Sequence, residues 1–139
     1  MFMPFYEDLS VFEYHDIDFN GQVLNVGWLS ASKPFRTGGI DLRAKKVIQE
    51  LVRYPINLFR GSHYCEFCPP PIKEKIEGVF DYKIIRDCPK GNGEIHVLGV
   101  KGVMYVAPTL IFHYIDAHNY MPPKEFLDAV ILSYPDIHR

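Results

Sequence analysis

Three consecutive prolines, Pro69-Pro70-Pro71, close a segment that reads Gly61-Ser62-His63-Tyr64-Cys65-Glu66-Phe67-Cys68. Proline donates no backbone hydrogen bond and fixes its own φ, so neither a regular helix nor a central strand can run through these residues. The two cysteines are therefore expected at a corner of the fold, where a strand leaves the core.

The elements on either side are read from hydrophobic period. Residues 41–54 form the clearest helix. Ala44, Val47, Ile48, Leu51 and Val52 make one apolar stripe, Asp41 is placed to cap the N-terminus, and Pro55 ends it. Residues 22–29 read as a strand after the Asn20-Gly21 turn, with a short strand near 11–14 before it. Residues 56–59 and 79–85 read as further strands, and the charged stretch 72–78 as an exposed loop or helical turn. Residues 94–98 and 103–106 flank a Gly-bearing loop and give the best hairpin. On it, Ile95 and Val97 share one face, while Glu94 and His96 take the other and read as a solvent face or, less simply, an acid/base pair. A second helix is expected from Pro108 to about residue 119, and a third from Pro123 to Tyr134, stopped by Pro135. The sum is an α+β fold: a small antiparallel sheet packed with one central helix and a C-terminal αα-hairpin, in a single domain over 1–139.

The chain has 139 residues, 47% hydrophobic and 23% charged, which suits a globular core. Its 14% aromatic content either fills that core or supplies a Tyr-rich contact surface. The net charge of −2 gives no electrostatic reason to expect nucleic acid or an anionic membrane as partner. No apolar run approaches the ~20 residues of a membrane span. The opening residues carry no signal-peptide pattern, so a cytoplasmic protein with reduced thiols is expected.

Cys65 and Cys68 have the spacing at which two thiolates converge on one tetrahedral ion. Further ligands are needed. His63 lies two residues upstream, and the second helix offers His113 and His118. On a regular helix these two point about 140° apart. His118 falls within the stripe of Leu110, Ile111, Tyr114 and Ile115, and His113 at its edge, so His118 is the better candidate. The metal reading is structural zinc held by Cys65, Cys68, His63 and one of these histidines. The same residues also fit a plain packed corner, with buried thiols and hydrogen-bonded imidazoles. A redox or nucleophilic Cys65 is the third reading, weakened because no helix follows to lower a thiol pKa. Cys88 sits before Pro89 in a turn, as a bystander or a fourth ligand. Were the metal catalytic, three ligands and an acid such as Glu66 would be expected. Gly91-Asn92-Gly93 reads as turn chemistry rather than a phosphate loop, and His15 and His138 carry no signal. Neither G-x-S-x-G nor H-E-x-x-H occurs.

Several blocks together carry a resemblance. They are Phe5-Tyr6-Glu7-Asp8-Leu9-Ser10, Asn25-Val26-Gly27-Trp28-Leu29, Gly61-x-His63-x-Cys65-x-x-Cys68, Gly91-Asn92-Gly93-Glu94-Ile95, Tyr105-Val106-Ala107-Pro108, and His113-Tyr114 through Pro122-Pro123-Lys124-Glu125-Phe126. The chain resembles an uncharacterised bacterial family, one of the domains of unknown function. That resemblance implies a single-domain unit in a bacterial cytoplasm and supplies no activity. The expectation is a small non-enzymatic domain that binds another protein, for example a toxin-neutralising immunity protein. The alternative is a metal- or thiol-dependent enzyme centred on His63, Cys65 and Cys68.

Overall fold

The computed structural model describes residues 5–56 and 63–135. Its centre is a three-stranded sheet in the order β1 (Gln22–Asn25), β7 (Val103–Pro108), β6 (Glu94–Leu98). β6 and β7 form the expected antiparallel hairpin, whereas β1 joins the other edge of β7 in parallel, with Gln22 opposite Val103. Two smaller antiparallel pairs complete the sheets: β2 (His63–Tyr64) with β5 (Lys90–Gly91), and β3 (Ile72–Lys75) with β4 (Tyr82–Arg86).

Among the described residues three helices supply the rest: α1 (Leu42–Leu51), α2 (Ile111–His118) and α3 (Lys124–Ser133). The Asp41 carboxylate accepts the Arg43 N–H at 2.8 Å and caps α1, as its sequence suggests. Ala44, Val47 and Ile48 turn the buried face of α1 toward the core, where it packs against both α2 and α3. Lys45 on α1 pairs with Asp116 on α2 at 2.8 Å. The C-terminal helices follow one another across residues 119–123, with Asn119 in the left-handed region as the C-cap of α2.

Both faces of the sheet are covered, and the period of two along β7 shows how. Val103, Tyr105 and Ala107 join the large core under the helices. Val106 joins a smaller core with Phe12 and Trp28, flanked by Tyr6, Ile17 and Val23. The second cover is the aromatic, acidic arm of residues 5–20. It lies along the free edge of β1 through Leu9 N to Asn25 O (2.7 Å), Asn25 N to Ser10 O (2.8 Å) and Phe12 N to Val23 O (2.9 Å). The short strand expected near 11–14 is reduced to one bridge, Val11 opposite Leu24.

Three sequence expectations are corrected. Residues 72–75, expected as an exposed loop or helical turn, are a strand whose side chains are all exposed, so it carries no apolar alternation to read. β7 runs on through Ala107 and Pro108, with Pro108 opposite Glu94, so α2 starts three residues later than expected. Pro108 ends a strand instead of opening a helix, and Thr109 N donates to Gly93 O. Of the strand expected at 56–59, Ile56 forms a bridge to Glu94 and the rest lies outside the described residues.

Candidate metal centre

The chain reaches the cysteines from β2, held to β5 by the pairing of Tyr64 with Lys90 and by Cys65 N donating to Pro89 O at 2.8 Å. β5 fits tightly against the residues that lead into α2: a Cβ on Gly91 would meet Thr109 Oγ1 at 2.2 Å, so any side chain there requires Thr109 to move. The chain then turns through residues 66–67, bringing Cys65 and Cys68 to the same side. The backbone N–H groups of Phe67 and Cys68 face the Cys65 sulfur and favour its thiolate. That is the local geometry of a thiolate knuckle.

Opposite the knuckle stands the last part of α2. His118 Nε2 lies 3.4 Å from both Cys65 Sγ and Cys68 Sγ, His113 Nε2 lies 3.3 Å from Cys68 Sγ, and the two Nε2 atoms are 3.2 Å apart. All four ligand atoms fall within 4.8 Å of one another, close enough to bind a metal ion. A tetrahedral ion with bonds of about 2.3 Å to sulfur and 2.0–2.1 Å to nitrogen separates S from N by about 3.5 Å and N from N by about 3.4 Å. The four observed spacings fall 0.1–0.2 Å inside those values.

Of the residues singled out from the sequence, Cys65, Cys68, His113 and His118 come together. His63 is outside the group: it is buried in β2 opposite Gly91, and the turn that follows carries the cysteines, not the imidazole, toward α2. Burial holds the His63 imidazole below its usual pKa. His113 and His118, placed on different sides of a helix wheel, both reach the site. His118 is the last helical residue, and Phe67 packs against its ring at 5.3 Å. Cys88 also stays out of the group, its thiol donating to Cys65 O at 3.5 Å.

The surroundings are apolar on one side and firmly engaged on the other. Phe67 packs edge-on against Phe35 (5.1 Å) and Tyr114 (5.9 Å) beside the knuckle. Burial foremost, with the neighbouring Cys68, pushes the Cys65 thiol up to about 11, and burial also pushes the Tyr114 hydroxyl up. Burial followed by the neighbouring His118 holds His113 low, which favours the neutral, ligating imidazole. The Glu66 carboxylate, the acid a catalytic metal would want, is turned to residues 30–31, accepting Ala31 N at 3.0 Å and Ser30 Oγ at 3.2 Å.

A second polar cluster joins His15 to Glu94 and His96, the pair placed on one strand face from the sequence. Glu94 is fully buried, not on a solvent face, because the arm covers that side of the sheet. His15 Nε2 lies 2.8 Å from its Oε1, and His96 Nε2 bonds its Oε2. His15 borders an open hollow of about 530 Å³ beside Phe12, Asp16, Ile17 and Phe19. The only sequence signal was indirect: a charged residue alternating with Ile95 and Val97 needs a partner if the second face is covered.

The fold and site together define a small α+β protein with a Cys2His2 cluster joining a strand-exit knuckle to a helix. The chain belongs to the family described as Domain of unknown function (DUF7919), whose model matches residues 4–131. No curated protein and no solved structure matches it.

Proposed function

We propose that this is a non-enzymatic protein-binding domain stabilised by structural zinc, held by Cys65, Cys68, His113 and His118. The observation that carries the zinc reading is the convergence of two Sγ and two Nε2 atoms at tetrahedral spacing. Two thiolates and two imidazoles suit zinc in donor type and number, and four protein ligands leave no open position for a substrate. Two features weigh against the thiol-enzyme alternative. Without a metal, Cys65 is a buried thiol with a raised pKa, unlike an activated nucleophile. Glu66, the nearest acid in sequence, is bonded elsewhere.

The binding half of the reading is supported by the β3–β4 hairpin, where Ile72, Ile76, Val79, Phe80, Tyr82, Ile84 and Ile85 are each 40% exposed or more. The partner is proposed to be a protein in a bacterial cytoplasm, and a toxin-neutralising immunity protein is one concrete form. Among the described residues no helix is long and apolar enough to cross a membrane.

Metal analysis of untagged protein tests the zinc reading. About one zinc per chain is expected, lost in the Cys65→Ser/Cys68→Ser variant. Protein that neither contains zinc nor takes up an added equivalent overturns it. A pull-down from the native host tests the binding reading: one stoichiometric protein partner supports it, and turnover of a small molecule by the purified protein would replace it with an enzyme.

A further inference from the structure

The metal centre and the exposed hairpin are joined at both roots. The outgoing root is Cys68 followed by Pro69-Pro70-Pro71, which fixes three successive φ angles between a ligand and β3. The returning root runs from Arg86 through Cys88 and Pro89 into β5. Arg86 Nε and Nη2 donate to Pro70 O at 3.1 and 2.8 Å, which clasps the two roots together. The Cys88 thiol donates to Cys65 O, and Cys65 N donates to Pro89 O. Both roots therefore end on the residue pair that faces α2.

Beyond the roots the hairpin has little to hold it. Residues 72–87 are all exposed. Among the described residues their other hydrogen bonds stay local, such as Ile76 N to Asp81 O. A two-stranded hairpin without a packed face is marginal in water, so its order depends on how rigidly its ends are fixed.

We propose that metal occupancy sets the order and direction of the β3–β4 hairpin: the ion clamps Cys65 and Cys68 to α2, and the prolines and the Cys88–Cys65 contact transmit that clamp to an apolar surface that the metal-free protein does not hold in place. The inference rests on the zinc reading above and adds a regulatory role to it. Zinc here controls a surface some residues away from its own ligands, and chelation withdraws that surface without unfolding the sheet.

The experiment is hydrogen–deuterium exchange on the full, untagged chain, stripped of metal and then given one equivalent of Zn(II), with bound zinc measured on the same samples. With one zinc bound, exchange across 72–86 is expected to slow by about tenfold at labelling times too short for 94–108 to exchange in either state. Zinc bound at one per chain with unchanged exchange across 72–86 overturns the coupling and leaves the zinc reading standing. Protection of 72–86 that rises only at the long times at which 94–108 also gains it overturns the coupling too, because zinc then stabilises the whole fold without ordering the hairpin separately. Failure to bind zinc at all removes the zinc reading and the coupling with it. A Pro69→Gly/Pro70→Gly/Pro71→Gly variant keeps all four ligands. It is expected to bind zinc and lose at least half of the response in 72–86, and a full response in it overturns transmission through the prolines.

Discussion

His118 Nε2 touches both sulfurs and the other imidazole, so at the scale of single residues it is the least replaceable ligand. His118→Ala is expected to weaken zinc binding well beyond the roughly 10–100-fold typical of losing an outer-shell partner, whereas His63→Ala stays within about tenfold. Competition against a chromophoric chelator reads both; equal losses would return His63 to the ligand set. The cysteines were legible from their spacing alone, and both helix histidines from their place in the chain. What the sequence could not supply was their convergence. A helix wheel treats each side chain as a radial vector, while an imidazole carries Nε2 out on two rotatable bonds, and at the end of α2 no further turn blocks the swing. The Glu94 cluster makes a pH prediction. Burial lowers the His15 imidazole, but its hydrogen bonds to Glu94 and to the Asp16 carbonyl outweigh that, and the net pKa is raised. A raised folded-state pKa stabilises the fold fully below the unfolded value near 6.5 and loses that stabilisation as pH rises through the folded value. Urea midpoints for the parent are therefore expected to fall relative to His15→Gln as pH goes from 6 to 9 by about one unit steps. Parallel curves would mean that His15 does not titrate with folding.

At the scale of elements, the segments whose period matched their burial were readable. α1 has its stripe and its Asp41 cap, and the β6–β7 hairpin has β-branched runs around a glycine loop. β3 was not readable because Ile72-Lys73-Glu74-Lys75 buries nothing, and a strand without a buried face leaves no period-two signature. The arm was not readable because its residues pair by backbone with β1 and fill a core made by distant residues. Two substitutions test the element contacts. Asp41→Ala removes the α1 cap and is expected to cost about 1 kcal/mol in chemical denaturation. Gly27→Ala is expected to cost about 2 kcal/mol or more, because Gly27 sits at φ 80° and a Cβ there would press on the Ile111 side chain at 3.0 Å. A neutral result at Gly27 would show that the turn from β1 into Trp28 relaxes freely. The same turn donates Gly27 N to Asp8 Oδ1 at 2.9 Å, and Asp8 Oδ2 accepts the buried Tyr120 hydroxyl at 2.8 Å.

At the scale of the whole molecule, a ligand that binds only the folded state adds about 2.7 kcal/mol when present at 100 times its Kd. Chelating the metal is therefore expected to lower Tm by roughly 10 °C for a chain of this size, read by thermal unfolding with and without a zinc chelator. An unchanged Tm would mean that the Cys2His2 cluster holds its geometry by packing alone. The parallel pairing of β1 with β7 has a different kind of consequence, one of timing. Residues 22–25 have their sheet partner about 80 residues further along, and Trp28 Nε1 waits for the carbonyl of Val106. At about 5–20 residues per second, the ribosome leaves that first strand and its tryptophan without their partners for several seconds. During that interval the N-terminal arm, already synthesised and able to lie along the other edge of β1, is the segment in place to shield them. The arm is thus a cover for β1 that synthesis supplies before β7, as well as a lid on the finished sheet.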